Sequence, residues 1–527
     1  MISAFTGQQI RAAEKPLLDS GEGAVLMQRA AYGLAQAAVR ELKRRGTRLY
    51  GARATVLVGK GNNGGDGLFA GALLARRGMR TTAILTSGSA HDAGLSAFKA
   101  AGGRVHTLTR ETVEDLAVLA AADDLVIDAI LGTGASGGVR GDAAELLACL
   151  QELAPCLVMA CDLPSGVDAD TGEANWPVLG AHVTVSFGGA KAGLLVDPGE
   201  GQSGRLDLVR IGIEEFLPAP VLLRLEESDL AQLLPQPKRN AHKYSRGVLG
   251  VVAGSARYPG AAVLSVDAAV LSGVGMVRYL GPEAVAREVL QHTPEAIWEP
   301  HEPHESGRVQ AWLIGSGVAG DEDDPGQLRR AKEALDAARE AGLPAVVDAG
   351  GLELLPEECP PNWILTPHAG ELAALLGRRG PEVSREDVEA RPLHFARVAA
   401  ETTGATVLLK GATTVVASPS GMVFSQSEGT PWMATAGSGD TLGGILGSLL
   451  AQLAEGLGGD EGPFAARGIA AGDRWAAVGA MAASLHGFAG ISASQGGSLT
   501  AGAIARAVPG VLRNLHSKQT LDSGNPG

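Results

Sequence analysis

The residues whose types and spacing could do chemistry are densest in Ala434-Thr435-Ala436-Gly437-Ser438-Gly439-Asp440-Thr441-Leu442-Gly443-Gly444. Small side chains and glycine let a loop close tightly and approach a ligand with no Cβ in the way. Leu442, Ile445, Leu446, Leu449 and Leu450 follow at helical spacing, so the loop's N–H groups are predicted to sit at a helix N-terminus, where phosphate is favoured. Asp440 stands at the same point, close enough to take a proton from a hydroxyl held beside the phosphates. A phosphate cradle with an adjacent carboxylate is what phosphoryl transfer to an alcohol requires. An isolated Gly-Ser-Gly-Asp fits equally a helix-capping Asp after a tight turn, and the rest of the chain decides between the two.

A second set of candidates occupies the ends of three predicted strands. Thr55–Val58 runs into Gly59-Lys60-Gly61-Asn62-Asn63-Gly64-Gly65-Asp66-Gly67. Asp124–Ile127 runs into Asp128-Ala129-Ile130-Leu131-Gly132-Thr133-Gly134, and Leu157–Cys161 into Asp162-Leu163-Pro164-Ser165-Gly166-Val167-Asp168. In an open parallel sheet such ends line one crevice, where ligands bind. Asn63, Asp128 and Ser165 could there offer amide, carboxylate and hydroxyl or carbonyl oxygens to a hard cation, and Asp162 could serve as acid or base. Each alone is also a turn-forming residue; their recurrence at successive strand ends favours a site. Residues 59–64 spell GxGxxG, but the next strand ends Ile84-Leu85-Thr86 with no acid for a ribose hydroxyl. Two further glycines and Asp66 are expected to delay the helix, which also argues against a dehydrogenase fingerprint.

The elements that must position these groups are legible as two α/β halves. Residues 8–18 and 24–45 have helical spacing, and Thr82–Leu85 and His182–Phe187 complete the strands of the first half. Pro218, Pro220, Pro235 and Pro237 with Glu226-Glu227-Ser228-Asp229 mark a joint. The expected division is 1–217, a linker at 218–240, and 241–518. In the second half Gly247–Ala253 enters the loop Gly254-Ser255, and Tyr258-Pro259-Gly260-Ala261-Ala262 begins a helix that runs to Gly273. Later strands end at Gly315-Ser316-Gly317, at Asp348, at Thr366-Pro367-His368 and at Lys410-Gly411-Ala412-Thr413-Thr414. That last run could embrace a nucleotide phosphate with N–H and hydroxyl groups, although no Walker loop occurs. His368 reads either as a helix cap or as a ligand-facing strand-end residue.

Composition narrows the partners. A chain of 527 residues exceeds one domain, and its net charge of −14 opposes a polyanion held by bulk electrostatics. Few aromatic residues weaken a base-stacking reading. The four cysteines, Cys149, Cys156, Cys161 and Cys359, show neither metal-ligand spacing nor a secreted framework. The N-terminal residues lack a signal-peptide pattern, and no uncharged apolar run of roughly 18 residues is found. A cytoplasmic protein with no nucleic-acid or membrane partner is expected.

The motifs carry two resemblances. Gly61–Gly67, Asp128 with Gly132-Thr133-Gly134, and Asp162-Leu163-Pro164-Ser165-Gly166 resemble the NAD(P)H-hydrate epimerase domain of the YjeF N-terminal type. Leu26-Met27-Gln28-Arg29-Ala30-Ala31 is similar to that domain's Leu-Met-Glu-Arg-Ala-Gly helix, with Gln28 and Ala31 as departures. By this resemblance Asn62, Asn63, Gly64, Gly65 and Asp66, with Gly132, Thr133, Gly134, Ala135, Ser136, Gly137 and Gly138, hold the hydrated dinucleotide. It also makes Asp162 the catalytic acid/base and gives Asn63, Asp128 and Ser165 to potassium.

His242-Lys243, Ala253-Gly254-Ser255, Thr366-Pro367-His368, Leu409–Thr414 and Ala434–Gly444 resemble the ADP-dependent NAD(P)H-hydrate dehydratase domain. That resemblance gives Ala261, Gly317, His368 and Asp440 to the hydrate, and Lys410, Gly411, Ala412, Thr413, Thr414 and Gly439 to the adenine nucleotide. Two segments depart from the family pattern: Gly315-Ser316-Gly317-Val318-Ala319 stands for Gly-Pro-Gly-Leu-Gly, and Asp348-Ala349-Gly350-Gly351-Leu352-Glu353 for Asp-Ala-Asp-Ala-Leu-Asn.

The fold class implied is α/β throughout, a Rossmann-like three-layer α/β/α domain followed by a ribokinase-like one. The function implied is metabolite repair of hydrated NADH and NADPH. An isomerase half would interconvert the R and S hydrates. A lyase half would phosphorylate the ring hydroxyl of the S form from ADP or ATP, with Mg²⁺, and expel phosphate. A homo-oligomer is expected. The rival is a ribokinase-like small-alcohol kinase with an accessory N-terminal domain, and a non-catalytic scaffold is a third reading.

Overall fold

The computed structural model describes residues 1–135, 137–318, 324–380, 382–459 and 461–523, with side chains as far as Lys518. Ser136 and Ala319 lie outside the described residues. The chain divides into two compact units, Ser3–Leu222 and Leu223–Gly527, the latter together with Met1–Ile2.

In the first unit a seven-stranded sheet runs in the order Arg104–Thr107, Arg80–Leu85, Arg53–Val58, Leu125–Ala129, Val158–Cys161, Val183–Phe187, Arg205–Val209. Every neighbouring pair is parallel. Side chains alternate across a strand, and here both faces are apolar. Val56 and Val58 pack with Leu34, Ala38, Leu68 and Leu74 of the helices Gly23–Arg44 and Asn62–Arg76. Leu57 packs with Leu116, Leu146 and Leu150 of Val113–Ala121 and Asp142–Leu153 on the other face. Winding reverses between Arg53–Val58 and Leu125–Ala129, which opens a crevice at their carboxyl ends.

The helix after Arg53–Val58 begins at Asn62 with Gly61 as its cap, so the glycine-rich run is not a loop that delays it. Gly64, Gly65 and Gly67 lie within its first turns because the helix presses on the sheet. A Cβ at Gly64 would stand 2.1 Å from the Gly59 carbonyl oxygen, and one at Gly67 2.6 Å from the Ala129 Cβ.

The second unit repeats the winding. Ile297–Trp298, Met276–Tyr279, Val248–Val252, Ala311–Ile314, Ala345–Val347, Trp363–Leu365 and Thr406–Leu409 are parallel neighbours in that order. Thr414–Ala417 and Val423–Gln426 then extend the sheet antiparallel. Its switch point lies between Val248–Val252 and Ala311–Ile314, beneath the helix Ser438–Leu453. That helix is buried on every side from Thr441 to Ala451. Against the helix Pro259–Leu271 a Cβ at Gly444 would stand 2.3 Å from the Ser265 carbonyl oxygen, so two backbones meet where only glycine fits.

The expected linker is also corrected. Residues 218–240 are not a bare linker. They form the strand Leu222–Arg224 and the helix Glu227–Leu233, capped by Glu226 and Asp229 in a reciprocal box. The prolines fall outside both elements, and Leu223, Leu225, Leu230, Leu233 and Leu234 enter the second unit's core. One helical stretch, Ala471–Ser494, is long and apolar enough to cross a membrane, but 78% of its most apolar window is buried inside the protein, as befits a core helix.

Candidate active sites

In the first unit Asp162 ends the strand Val158–Cys161 with φ at +70°, a conformation that costs an L-residue about 1–3 kcal/mol and is typical of functional sites. Its N–H donates to the Val185 carbonyl at 2.8 Å. One carboxylate oxygen receives the Lys191 ammonium and, at 3.4 Å, the Phe187 N–H; the other receives the Thr133 hydroxyl and, at 3.2 Å, the Thr133 N–H. Burial alone would raise this carboxyl's pKa, but Lys191 and Thr133 hold it below the ordinary Asp value. Lys191 is itself buried and donates to Ser186 Oγ at 3.1 Å and the Phe187 carbonyl at 3.0 Å. Arg11 fixes the Thr133 segment by donating to its carbonyl at 2.7 Å.

Beside this centre, Asp128 is fully buried and surrounded by neutral donors. It accepts from the Ser165 N–H at 2.8 Å, the Ser165 hydroxyl at 2.6 Å and the Ile130 N–H at 3.2 Å. Burial pushes its pKa up against those bonds. The Asn63 amide nitrogen donates to the Leu131 carbonyl at 2.9 Å, so its amide oxygen is the atom left for a ligand. Among the described residues no basic side chain pairs with Asp128, and a buried carboxylate beside amide and hydroxyl oxygens is a donor set that suits a hard cation. Among the described residues no three His, Cys, Asp or Glu side chains are grouped so as to hold a metal ion by themselves.

In the second unit Gly437, with φ at +88°, caps the helix Ser438–Leu453. A Cβ there would stand 2.4 Å from Leu264 Cδ1. The Ser438 N–H leans on the Thr435 carbonyl at 3.3 Å, and the helical ladder closes with the Thr441 N–H on the Gly437 carbonyl at 3.1 Å. The Gly439 and Asp440 N–H groups between them find no acceptor among the described residues; first-turn groups of this kind bind anions. No hydrogen bond from the described residues reaches the Asp440 carboxylate. Burial first, then the charge of Asp348, against the pull of Lys410, pushes its pKa up to about 6.

Asp348 anchors this charge system. It accepts from Ser316 Oγ at 3.0 Å, Thr366 Oγ1 at 2.8 Å and the Lys410 ammonium at 2.9 Å. Lys410 also lies 3.6 Å from Glu371 and 3.5 Å from where a Gly439 Cβ would be. Burial alone would lower the Lys410 pKa, yet Asp348 and Glu371 hold it above the ordinary value. At the switch point Gly317, with φ at +65°, meets Ala261, whose Cβ would stand 2.4 Å from a Cβ on that glycine. His368 caps the helix Ala369–Gly377 in a reciprocal box with Glu371 and remains 60% exposed.

Similarity to known proteins was found in both units. The family described as YjeF-related protein N-terminus matches residues 23–193, and the family described as NAD(P)H-hydrate dehydratase matches 249–506. The bifunctional NAD(P)H-hydrate repair enzyme Nnr of Mycobacterium tuberculosis is 42% identical over 458 residues, 85% of this chain and 89% of its own. The chain belongs to the bifunctional NAD(P)H-hydrate repair enzymes. The Moorella thermoacetica member is 34% identical over 88% of each chain. An ADP/ATP-dependent NAD(P)H-hydrate dehydratase from Bacillus subtilis, crystallised with ATP/Mg²⁺, covers 55% of this chain and 97% of its own at 25% identity, with a TM-score of 0.44.

Some of the candidates read from sequence lie beside the two switch points, and others lie at strand ends farther along the second sheet. Asn62 to Asp66 and Gly132 to Gly138, apart from Ser136, flank Asp162 and Asp128 in the first unit. Ala261, Gly317, Gly439 and Asp440 adjoin the second switch point. Gly411 and Ala412 form the exposed turn between Thr406–Leu409 and Thr414–Ala417. His368 shares a short parallel bridge with Lys410 at the end of Thr406–Leu409. Sequence reasoning missed Lys191, Glu14 and His486. Lys191 sits in an unremarkable Gly-Gly-Ala-Lys run, and Glu14 on an amphipathic helix whose basic neighbours suggest a solvated face. His486 is buried in Arg474–Ser494 with Nε2 3.4 Å from Ser438 Oγ, and burial lowers its pKa to about 4. Only the apolar run around it could have signalled that it faces inward.

Proposed function

We propose that Asp440 is the base that lets a poor leaving group depart. Water adds across the reduced nicotinamide ring to leave a hydroxyl at ring carbon 6, and hydroxide leaves such a ring slowly. As the terminal phosphoryl group of ADP or ATP transfers to that oxygen, the Asp440 carboxylate takes the hydroxyl proton. The Gly439 and Asp440 N–H groups and the Lys410 ammonium stabilise the transferring charge. Phosphate then leaves, pushed by the ring nitrogen lone pair to give an iminium ion, and loss of a proton from ring carbon 5 to water returns the lone pair to nitrogen and restores the ring double bond. The nucleotide would enter as its Mg²⁺ complex, the metal supplying positive charge to the phosphates. Lys410 to Thr414 and Gly439 receive the nucleotide, and Ala261, Gly317 and His368 receive the hydrate.

Attack geometry admits one epimer, the S form. Asp162, ionised beside Lys191, serves the exchange of R and S at the first unit. Asn62 to Asp66 and Gly132 to Gly138 hold the dinucleotide there. Asn63, Asp128 and Ser165 would hold potassium, whose charge would offset that of the buried Asp128. Free cysteines throughout support a cytoplasmic setting.

The observation that carries the reading is the carboxylate of Asp440, shielded, without a hydrogen-bond donor among the described residues, and set beside helix-terminal N–H groups that likewise find no acceptor among them. Asp440→Asn should cut ADP-driven recovery of NADH absorbance by roughly 10²–10⁴-fold while epimer exchange persists. A small-alcohol kinase would instead release a stable phosphorylated alcohol, so finding that product in place of free phosphate and NADH would overturn the reading.

A further inference from the structure

Asp66 is the carboxyl of the first unit whose situation the roles above leave unexplained. It lies in the first turns of the helix Asn62–Arg76, one helical turn beyond Asn63, and so shares that residue's face. That face looks at the strand ends, because the Asn63 side chain donates to the Leu131 carbonyl and the Cys161 thiol lies 3.8 Å from the Asn63 carbonyl oxygen. Asp66 Oδ1 is closed off from solvent and has no hydrogen-bond partner among the described residues. A buried carboxylate oxygen without a donor is costly when ionised; protonation removes that charge and leaves an O–H to give.

We propose that Asp66 is the general acid of epimer exchange and that Asp162 is its complementary base. This rests on reading the first unit as the epimerase. In the step, the Asp66 proton passes to the departing hydroxyl oxygen at ring carbon 6. The carbon–oxygen bond breaks with its electron pair on oxygen, and water forms. The lone pair of ring nitrogen 1 closes a carbon–nitrogen double bond, leaving an iminium ion beside two carboxylates. Water then adds to the opposite face, its surplus proton goes to Asp162, and the double-bond pair returns to nitrogen. Proton return from Asp162 to Asp66 through water completes the cycle.

The environments divide the roles. Burial first, then the charges of Asp162 and Glu14, raise the Asp66 pKa well above the ordinary value, with Lys191 opposing. Asp162 is held ionised by Lys191 and Thr133. Glu14 is raised by burial and by Asp162, with Lys191 and Arg11 opposing. Cys161 is kept protonated by burial and by Asp66, Asp162 and Asp128. His91, packed against Gly65, has its Nδ1 committed to the Gly94 N–H at 3.1 Å. Two acids with opposed environments in one crevice form an acid/base pair.

The test follows R/S exchange by the full-length wild type, Asp66→Asn and Asp66→Glu across pH. Wild-type kcat/KM should fall on the alkaline side as Asp66 loses its proton. Asp66→Asn should lose roughly 10²–10⁴-fold in kcat and lack that limb, and Asp66→Glu should regain part of the rate with the limb displaced. Asn exchange within about threefold of wild type with the limb intact, or a KM effect alone, overturns the acid role. Should the Asn variant not fold, infrared difference spectra of wild type and Asp66→Glu decide. A protonated-carboxyl band that moves with the substitution supports the proposal, and one that does not overturns it. A wild type that exchanges no hydrate overturns the epimerase reading itself.

Discussion

At the scale of single residues, Asp440 is held at odds with its own charge. Its ordinary pKa of 3.8 rises to about 6 because burial and Asp348 disfavour the carboxylate. A base must be ionised to work, so dehydratase kcat/KM should climb as pH rises through about 6 and level off above it. Asp348→Asn removes the repelling charge and leaves Lys410 facing Asp440, so the climb should move to lower pH; a climb that stays put would refute the coupling. The same shift predicts a trade-off. A carboxyl whose pKa rises on folding costs stability as pH increases from about 4 through about 6, and the full cost persists above. Asp440→Asn should therefore be more stable than wild type at pH 7–8 by roughly 1–3 kcal/mol and unfold at a higher temperature, with the gain gone below pH 4. An equal or lower unfolding temperature at pH 8 would show that the carboxylate is not strained.

At the scale of elements, Asp440 is placed by a helix packed on every side. Ser438–Leu453 lies against Pro259–Leu271 with Gly444 at the Ser265 carbonyl, and the Ser265 hydroxyl donates to the Asp440 carbonyl at 3.3 Å. Gly444→Ala must part the two helices, at a cost of roughly 1–3 kcal/mol, and shift Asp440 with them. A lowered unfolding temperature of the second unit and a slower dehydratase, with R/S exchange unaltered, is the expected pattern. Unchanged kinetics would mean the helix start adjusts on its own. Elements of this kind were legible where local pattern and tertiary demand agree. The parallel strands read as apolar runs because both faces are covered, and the glycines of 437–444 marked the tight helix start. The start at Asn62 was not legible, because Gly64, Gly65 and Gly67 are poor helix formers that packing on the sheet requires. Nor was the pairing of Lys191 with Asp162, since residues 29 positions apart meet only through the sheet. The stretch 218–240 misled because its prolines stand at the ends of elements rather than inside linkers.

At the scale of the whole molecule, the two units have separate cores, and the chemistry divides the same way. One catalyst sorts epimers and the other destroys the hydrate of one hand. If each site works on free substrate, the halves need not be joined for their reactions to add up. Given mixed hydrates with ADP and Mg²⁺, Asp162→Asn should rapidly convert the S fraction and then stall at the slow uncatalysed exchange. Asp440→Asn should produce NADH at only a small fraction of the wild-type rate, yet bring the hydrates to their equilibrium ratio. The two inactive chains mixed should carry the whole pool to NADH, because each supplies the step the other lacks. NADH absorbance against time reads this directly, as a burst and plateau for Asp162→Asn alone and a full rise for the mixture. A mixture that stalls at the same plateau would mean that the epimer made on one chain does not reach another, and the gain from fusing the two units would then be transfer of the hydrate within one molecule.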